Sequence, residues 1–313
     1  MDVVVAGSCN VDLISYVPRQ PNLGETIYGT EFQMGFGGKG ANQCVMASRL
    51  GASTVMLAKV GNDMFGRNTI QNFKDNNVCT DHVLVTDEAA SGVAPITVDK
   101  NGGNAIIVVP GANDCLTGED VRKIESLIKT TSVLICQLEV PIPTNLEALK
   151  LGRQHGVTTI LNAAPATSSP DIRALYQYTD LLCVNEIEAE MLLGCSPLKD
   201  IDTAKQAVTQ FYSNFSMLRC VMITLGGEGL VYATDGKSPV EHIPAEPVDA
   251  TDTTGAGDAF IGALGFYLAC FKSLSLEEKI KRAIKIASFS VTRKGTQKSY
   301  FKKDELPKEL FAS

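Results

Sequence analysis

The stretch VLICQLEVPIPTNLEALKLGRQHGVTTILNAAP, residues 133–165, contains two short apolar runs separated by an amphipathic segment. The first run, VLICQLE (133–139), and the last, TTILNAAP (158–165), have the length and composition of buried strands. Between them, NLEALKLGRQHG (145–156) carries apolar residues at a spacing of three to four and ends in glycine, which is typical of a crossover helix. The order strand, helix, strand predicts a parallel βαβ unit.

The same alternation extends along most of the chain. Further strand-like runs occupy residues 3–7, 55–61, 181–185 and 220–226, and helical patterns occupy residues 41–51, 120–129 and 203–213. Because strands alternate with helices, the sequence predicts an α/β fold with a doubly wound, mainly parallel central sheet flanked by helices. We expect one domain spanning residues 1–313.

Two segments interrupt this alternation. Residues 24–36 and 91–109 have strand-like patterns, and the second turns at Asn101-Gly102 as a hairpin does. They predict a small separate antiparallel sheet, a β lid built from about residues 13–36 and 91–110. Because a few strands are not stable alone, the lid must pack on the main body or on another copy of itself, so we expect a homodimer through the lid.

The composition of the chain limits the classes of molecule that it is expected to bind. The chain has 313 residues and a net charge of −7, which argues against nucleic acid and favours a small-molecule substrate. No segment has the uninterrupted apolar length of a membrane span, so we expect no membrane partner. Nine cysteines without a C-x-x-C pair indicate thiols in a reducing compartment, so we expect a cytoplasmic protein, with diffusion into the nucleus left open.

The segment DTTGAGD, residues 252–258, precedes the apolar run AFIGALGFYLA. The turn Gly255-Ala256-Gly257 at the start of a helix can bind phosphate oxygens through backbone N–H groups. A carboxylate beside a phosphate would repel it, so Asp258 is best explained as a base that takes a proton from an attacking hydroxyl. The alternative is that Asp258 only complements the helix dipole.

The segment GFGGKGAN, residues 35–42, contains a G-x-G-x-x-G pattern. A dinucleotide-binding fingerprint requires a buried strand directly before it, whereas the preceding residues belong to the expected lid. It is not a Walker A loop either, because glycine follows Lys39. The turn instead offers Lys39 and Asn42 to a polyhydroxylated ligand, or it is a structural turn with Lys39 in solvent.

Polar residues at strand ends are further candidates. Asn10 and Asp12 follow the first strand, and Glu139 ends the run at 133–139. Open parallel sheets bind ligands at the carboxyl ends of their strands, where these side chains could accept hydrogen bonds from sugar hydroxyls. Ordinary turns have the same composition, so this alternative stays open.

Two more strand ends carry weaker signals. Glu188 lies one helical turn after Asn185, where its carboxylate could hold Mg²⁺ through water or simply favour the start of a helix. Thr224, Gly226 and Gly229 form a glycine-rich turn that suits close approach by a nucleotide, although many hairpins have similar turns.

Together these motifs resemble the ribokinase family of ATP-dependent carbohydrate kinases from the first strand to the last loop. The resemblance rests on GFGGKGAN (35–42) and DTTGAGDAFIGAL (252–264), in the family's order and separation. It implies a ribokinase-like fold and ATP-dependent phosphoryl transfer to the 5-hydroxyl of D-ribose, giving D-ribose 5-phosphate. ATP, Mg²⁺ and an activating K⁺ are the implied cofactors.

The resemblance also implies residue roles. The sugar would be held by Asn10, Asp12, Gly38, Lys39, Asn42, Glu139 and Asp258. Asp258 would be the general base, and the N–H groups of Gly255, Ala256 and Gly257 would form an anion hole. ATP would contact Asn185, Thr224, Gly226, Gly229 and Gly257, with Glu188 holding Mg²⁺ through water. The K⁺ loop would comprise Asp252, Thr254, Ser290, Arg293, Gly295 and Ser299, largely through backbone oxygens.

Several alternatives remain at this level. The acceptor could be fructose, deoxyribose or adenosine on the same scaffold, although the paired polar residues Asn10, Asp12, Lys39 and Asn42 favour a small polyol. A sugar-binding regulator without catalysis would have no physical reason to keep a base beside an anion site. A nicotinamide-dependent dehydrogenase does not fit the context of the G-x-G-x-x-G pattern.

Overall fold

The computed structural model describes residues 1–312, which form a nine-stranded sheet with helices on both faces and a separate four-stranded sheet. The strands are β1 (Val3–Ala6), β2 (Asn10–Val17), β3 (Glu31–Gly37), β4 (Thr54–Gly61), β5 (Val83–Thr86), β6 (Gly92–Asp99), β7 (Asn104–Ile106), β8 (Val133–Gln137), β9 (Thr158–Asn162), β10 (Leu181–Asn185), β11 (Cys220–Thr224), β12 (Leu230–Ala233) and β13 (Glu241–Ile243). The helices are α1 (Lys39–Arg49), α2 (Met64–Asp75), α3 (Gly118–Arg122), α4 (Glu125–Ile128), α5 (Ile142–Gln154), α6 (Arg173–Tyr176), α7 (Glu186–Leu193), α8 (Ile201–Asn214), α9 (Ala256–Cys270) and α10 (Leu276–Ser290).

The large sheet has the order β13-β12-β11-β10-β9-β8-β1-β4-β5. Every pair from β11 to β5 is parallel, and only the pairs β11–β12 and β12–β13 at one edge are antiparallel. The predicted mainly parallel α/β fold is therefore confirmed. Within residues 1–312, no helix is long and apolar enough to cross a bilayer.

Helices cover both faces of the large sheet, and successive side chains of each strand point alternately to the two faces. In β1, Val3 and Val5 belong to a core shared with α1, α9 and α10, whereas Val4 and Ala6 belong to a core shared with α5 and α8. All four side chains have at most 1% exposure. Two cores on one sheet confirm the doubly wound arrangement.

The predicted helix at residues 120–129 is divided into α3 and α4. Thr117 caps α3 through a capping box with Asp120, and the chain then turns at Lys123 and Ile124. Ile124 is buried in the core at this turn. The apolar spacing indicated the buried face of this segment, but did not reveal the interruption.

The small sheet, called the lid below, has the order β3-β2-β6-β7. It is antiparallel at β2–β3 and β6–β7, as expected, but its central pair β2–β6 is parallel. The reason is that β2 continues from β1 and β6 continues from β5. Since β1 and β5 run in the same direction, both strands leave the same edge of the large sheet. The lid strands begin at Asn10, three residues before the expected boundary.

Candidate functional site

Asp258 lies in the first turn of α9 and is only 7% exposed. Its Oδ2 accepts a hydrogen bond from Asn42 Nδ2 at 2.9 Å, and its Oδ1 accepts one from Gln43 Nε2 at 2.9 Å. These bonds join α9 to α1 at the carboxyl edge of the large sheet, where parallel sheets place ligands. A carboxylate oxygen can accept more than one hydrogen bond, so Asp258 retains capacity for a substrate hydroxyl.

The turn before α9 depends on its glycines. Gly255 has φ of 78°, and a Cβ there would lie 2.5 Å from Cγ2 of Thr296. A Cβ at Gly257 would meet no atom within 4 Å, so this position borders open space. Gly255 is therefore required by the turn itself, whereas the absence of a side chain at Gly257 leaves room for a ligand.

The N–H groups available at this turn differ from those expected. The N–H of Ala256 donates to the carbonyl of Thr253 at 3.2 Å, so it is already used within the turn. Within residues 1–312, the N–H groups of Gly255, Gly257 and Asp258 have no acceptor. The N–H groups available to an anion are thus those of Gly255, Gly257 and Asp258, whereas those of Gly255, Ala256 and Gly257 were predicted.

The N-terminus of α1 packs closely on the connection between β1 and β2. A Cβ at Gly38 would lie 2.7 Å from the main-chain nitrogen of Asn10, and one at Gly40 would lie 2.6 Å from that of Ser8. The preceding strand β3 belongs to the lid. Gly38 and Gly40 therefore serve this close packing, and the lid position of β3 agrees with the rejection of a dinucleotide fingerprint.

Glu139 is fixed at the end of β8. Its Oε2 accepts hydrogen bonds from Ser8 Oγ at 2.6 Å and from the main-chain N–H of Lys39 at 2.8 Å. The other oxygen, Oε1, has no partner in the described chain and can accept a hydroxyl. Ser8, which orients Glu139, was not predicted from the sequence.

Asn10 is held by a residue that the sequence analysis missed. Asn113 Nδ2 donates to Asn10 Oδ1 at 2.8 Å, and the Asn113 side chain also bonds the N–H and the carbonyl of Cys9. Asn10 is buried, and its side-chain amide N–H groups remain available to a ligand.

Asp12 has no hydrogen-bond partner among residues 1–312. It lies across from the lid strand β3, and a Cβ at Gly37 would be 2.5 Å from Asp12 Oδ1. Burial, together with the negative charges of Glu139 and Asp258, raises the pKa of Asp12 to about 6. A partly buried carboxylate without donors is suited to receive the hydroxyls of a polyol.

Lys39 contributes a positive charge near several carboxylates. Burial acts to lower the pKa of Lys39, but the negative charges of Asp258, Glu139 and Glu188 outweigh it, and the pKa is raised. In the described part of the chain Lys39 forms no ion pair within 4 Å. Its ammonium group therefore stays charged and is not neutralised by direct contact.

Asn185 and Glu188 form a capping box at the start of α7. The N–H of Glu188 donates to Asn185 Oδ1 at 2.8 Å, and the N–H of Asn185 donates to Glu188 Oε2 at 2.9 Å. Burial raises the pKa of Glu188, and the positive charge of Lys39 opposes that shift. Both residues thus begin a helix, while Glu188 Oε1 has no partner within residues 1–312.

The glycine turn after β11 has one open and one closed position. Thr224 ends the strand and pairs in register with Asn185. Gly226 has φ of 52° and open space around its missing side chain, whereas a Cβ at Gly229 would lie 2.0 Å from the carbonyl oxygen of Ile243. Gly226 can therefore be approached by a ligand, and Gly229 is required by packing.

Asp252 joins two loops behind the start of α9. Its Oδ1 accepts from the N–H of Thr254 at 3.0 Å, and its Oδ2 accepts from the N–H of Gly295 at 2.9 Å. Burial acts to raise the pKa of Asp252, but these N–H groups outweigh it, and the pKa is lowered. Residues 252–254 are thus fixed against residues 290–299.

The side chains of Ser290, Arg293 and Ser299, which were predicted to belong to a cation loop, make hydrogen bonds to other groups. Arg293 donates to Glu305 at 3.1 Å and its guanidinium lies 3.5 Å from the ring centre of Phe301. The hydroxyls of Ser290 and Ser299 each donate to a main-chain carbonyl three residues earlier, at 2.8 Å. At this loop Arg293 therefore offers only backbone atoms.

A set of buried amides was not predicted as part of the site. Gln297 Nε2 donates to Asn42 Oδ1 at 3.0 Å, and Gln43 contacts both Gln137 and Asn162. Polar side chains within otherwise apolar segments, such as Gln137 in VLICQ, were the only sequence signal.

Comparison with known proteins gives consistent matches over nearly the whole chain. Residues 1–303 match the pfkB family of carbohydrate kinases. The chain is 48% identical to ribokinase from Mus musculus over 309 residues, which covers 99% of this chain and 94% of that protein. It is 39% identical over 300 residues to deoxyribokinase from Salmonella typhi, covering 96% and 95% of the two chains. The structure of Arabidopsis thaliana ribokinase complexed with ribose and ATP matches with a TM-score of 0.88 at 28% identity, covering 100% and 99%.

Proposed function

Because this chain belongs to the pfkB family of carbohydrate kinases, we propose that it transfers the γ-phosphoryl group of ATP to the 5-hydroxyl of D-ribose, with Asp258 as the general base. The 48% identity to the ribokinase of Mus musculus and the fold shared with a ribokinase complexed with ribose and ATP support ATP-dependent phosphorylation of ribose. The proposal concerns the hydroxyl and the residue roles. The observation that carries it is the buried carboxylate of Asp258, which two amides hold beside a turn with unused N–H groups.

The sugar-binding roles follow from the unused polar atoms. Asp12 and Glu139 Oε1 can accept hydroxyl hydrogens, and the amide of Asn10 and the ammonium of Lys39 can donate to hydroxyl oxygens. Asn42 has both side-chain atoms engaged, by Asp258 and Gln297, and retains one N–H for the sugar. Gly38 acts indirectly, by allowing α1 to approach Asn10.

In the reaction, Asp258 accepts the proton of the attacking hydroxyl. The N–H groups of Gly255, Gly257 and Asp258 stabilise negative charge on the transferred phosphoryl group, and the start of α9 adds its partial positive charge. Phosphoryl transfer needs positioning and charge stabilisation more than covalent participation by the protein. Closure of the lid over the sugar would exclude water as a competing acceptor.

ATP would lie along the carboxyl edge, from the turn at Gly255 to the open backbone of Gly226. Thr224 and Asn185, adjacent in register, border this path. Glu188 would hold Mg²⁺ through water, because its Oε1 is unpaired and is an oxygen ligand of the kind that Mg²⁺ prefers. Mg²⁺ would supply charge neutralisation on the phosphates of ATP.

A K⁺ site is proposed between residues 252–254 and 290–299. Support comes from Asp252, which fixes the two loops side by side, and from the many backbone carbonyls there, which are hard oxygen ligands. Thr254, Ser290, Arg293, Gly295 and Ser299 would contribute mainly backbone oxygens. A cation bound there would order the turn that carries the anion-binding N–H groups.

We also propose a homodimer formed through the lid. Phe32 in β3 and Ile106 in β7, on the two edge strands, are 64% and 52% exposed, and Ile107 beside β7 is 66% exposed. Exposed apolar residues on unpaired strand edges favour association with another sheet. A second copy of the lid has the same chemistry and can bury this surface symmetrically.

The test is ADP formation from ATP with D-ribose, 2-deoxyribose, D-fructose or adenosine, each in K⁺ and in Na⁺ buffers. The proposal predicts fastest turnover with D-ribose, stimulation by K⁺, and a 5-phosphate product identified by phosphorus NMR. The 39% identity to a deoxyribokinase makes 2-deoxyribose the most informative competitor. A higher kcat/KM for 2-deoxyribose, or phosphorylation at another hydroxyl, would contradict the proposed specificity.

A further inference from the structure

Gln43 is the residue that connects Asp258 to the strands of the large sheet. It lies in α1, is fully buried, and its Nε2 donates to Asp258 Oδ1 at 2.9 Å. The same Nε2 donates its second hydrogen to Asn162 Oδ1 at 3.0 Å. Its Oε1 accepts from Gln137 Nε2 at 2.8 Å. Both N–H donors of the Gln43 side chain are therefore used, and its oxygen has one hydrogen-bond partner.

The three contacts permit only one orientation of the Gln43 amide. If the amide were rotated by 180°, Oε1 would face two acceptor oxygens, and Nε2 would face the N–H group of Gln137. Asn162 is itself oriented, because its Nδ2 donates to the carbonyl of Cys183 at 3.3 Å. The direction of the amides is thus set at β9 and β10 and transmitted to the carboxylate of Asp258.

The network leaves one atom unsatisfied. Gln137 Oε1 is buried and has no hydrogen-bond partner among residues 1–312. A buried acceptor without a donor is unfavourable, because the oxygen has lost its hydrogen bonds to water. Reversing the Gln137 amide would bring its oxygen against Gln43 Oε1, so the unsatisfied atom is the consequence of directing Nε2 toward Gln43. Gly7 accommodates this arrangement, because a Cβ there would lie 2.0 Å from Gln137 Oε1.

We propose that Gln43 is a positioning residue that fixes the carboxylate of Asp258 for proton transfer, and that Gln137 acts on the reaction through Gln43. Asn42 holds the second oxygen of Asp258 from the adjacent position of α1, so both oxygens are constrained from one helix. This inference rests on the proposed role of Asp258 as the base. A displacement of reacting groups by about 1 Å can lower a rate about 100-fold.

The experiment compares kcat, KM for ATP and the dissociation constant of ribose for Gln43→Met and Gln137→Met. Methionine has a similar length and cannot make these hydrogen bonds. For Gln43→Met we expect kcat to fall about 10- to 100-fold, with ribose affinity and KM within about threefold of wild type. For Gln137→Met we expect a smaller decrease, about 3- to 10-fold, because the bond between Gln43 and Asp258 remains.

A double-mutant cycle separates positioning from general stability. If Gln137 acts through Gln43, adding Gln137→Met to Gln43→Met should leave kcat unchanged within about twofold. Independent, multiplicative effects would overturn the proposal, as would an unchanged kcat per ribose-binding site in Gln43→Met. If Gln43→Met does not fold, Gln137→Met alone provides the test. An unchanged kcat in Gln137→Met would then overturn the proposed action of Gln137 through Gln43. A decrease in kcat of about 3- to 10-fold with retained ribose affinity would support it.

The role of Asp258 is tested separately with Asp258→Asn. If that variant keeps wild-type turnover, Asp258 is not the base, and Gln43 then cannot act by positioning it. If Asp258→Asn lacks turnover while Gln43→Met keeps it in full, only the inference about Gln43 fails. If both fall, adding Gln43→Met to Asp258→Asn should cause no further loss, and a further loss would overturn action through Asp258.

Discussion

The hydroxyl of Tyr300 donates a hydrogen bond to the carbonyl oxygen of Gly255 at 2.9 Å, and so ties the last loop of the chain to the turn before α9. Tyr300 is 2% exposed. Burial raises the pKa of Tyr300 well above its ordinary value, so the hydroxyl remains a donor. Gly255 cannot carry a side chain at this turn, and Tyr300 therefore fixes its position through the backbone.

Replacing Tyr300 by Phe removes this bond and little else. We expect a loss of about 1 kcal/mol in the free energy of unfolding and a decrease in kcat of up to about tenfold, since the N–H groups of the turn become less well positioned. Thermal unfolding and steady-state kinetics measure both. Tyr28→Phe is the control, because Tyr28 is 94% exposed. Identical kinetics for the two variants would show that the turn keeps its geometry without Tyr300.

Asp12 provides a prediction of pH dependence. Its folded-state pKa of about 6 lies above the ordinary aspartate value of 3.8, so the folded protein binds this proton more tightly than the unfolded chain does. The contribution of Asp12 to stability therefore falls as pH rises from about 4 to about 6, by about 3 kcal/mol at most. We expect Asp12→Asn to have a higher Tm than wild type at pH 8, with a smaller difference at pH 5.

The same carboxylate should be needed for the substrate. We expect Asp12→Asn to raise KM for ribose at least about tenfold, because a charged acceptor of hydroxyl hydrogens is lost. In the wild-type protein, KM for ribose should rise as pH falls below about 6. A variant that is neither more stable at pH 8 nor weaker in ribose binding would disprove both roles.

Gly257 and Gly255 form a matched pair of substitutions. A Cβ at Gly257 meets open space, so Gly257→Ala should leave Tm unchanged or slightly higher, because alanine favours helix more than glycine. We expect its kcat/KM for ATP to fall about 10- to 100-fold, since the methyl group enters the space left for phosphate. Gly255→Ala should instead lower Tm, because of the positive φ and the 2.5 Å contact with Thr296. Equal effects on Tm would contradict this distinction.

The large sheet could be predicted because its signals are local. Each inner strand is a short apolar run buried on both faces, and β8, α5 and β9 follow one another directly. The parallel pairing of β2 with β6 was not predicted, because it depends on two strands far apart in sequence leaving the same sheet edge. Hairpin patterns report only the pairing of neighbours in the chain.

In the site too, local features could be predicted from the sequence, and contacts between distant residues could not. The turn at residues 252–258 is continuous in sequence, and Asp258 could be identified from it. Its partners Asn42 and Gln43 lie 216 and 215 residues away, and Gln43 could not be identified because its role depends on tertiary packing. The use of the Ala256 N–H within the turn depends on backbone geometry, which a motif of small residues does not specify.

The proposed dimer predicts a localised effect of charge. Ile107→Lys places an ammonium group on the exposed apolar surface of the lid and should shift the protein from dimer to monomer. Analytical ultracentrifugation across a range of protein concentrations measures this shift. Val85→Lys is the control, because Val85 is 55% exposed in β5, outside the lid. If the wild-type protein is a monomer, or if Val85→Lys dissociates the dimer as readily, the lid interface is wrong.

The most direct test of the central claim compares turnover and ribose binding in Asp258→Asn. The substitution keeps the size of the side chain and removes the group that would accept the proton from the ribose hydroxyl. We predict that kcat for ADP formation falls by at least about a thousandfold, while calorimetry shows ribose binding with a dissociation constant within about tenfold of wild type. Turnover close to wild type would contradict the role of Asp258 as the base. Loss of ribose binding would instead assign Asp258 to substrate affinity.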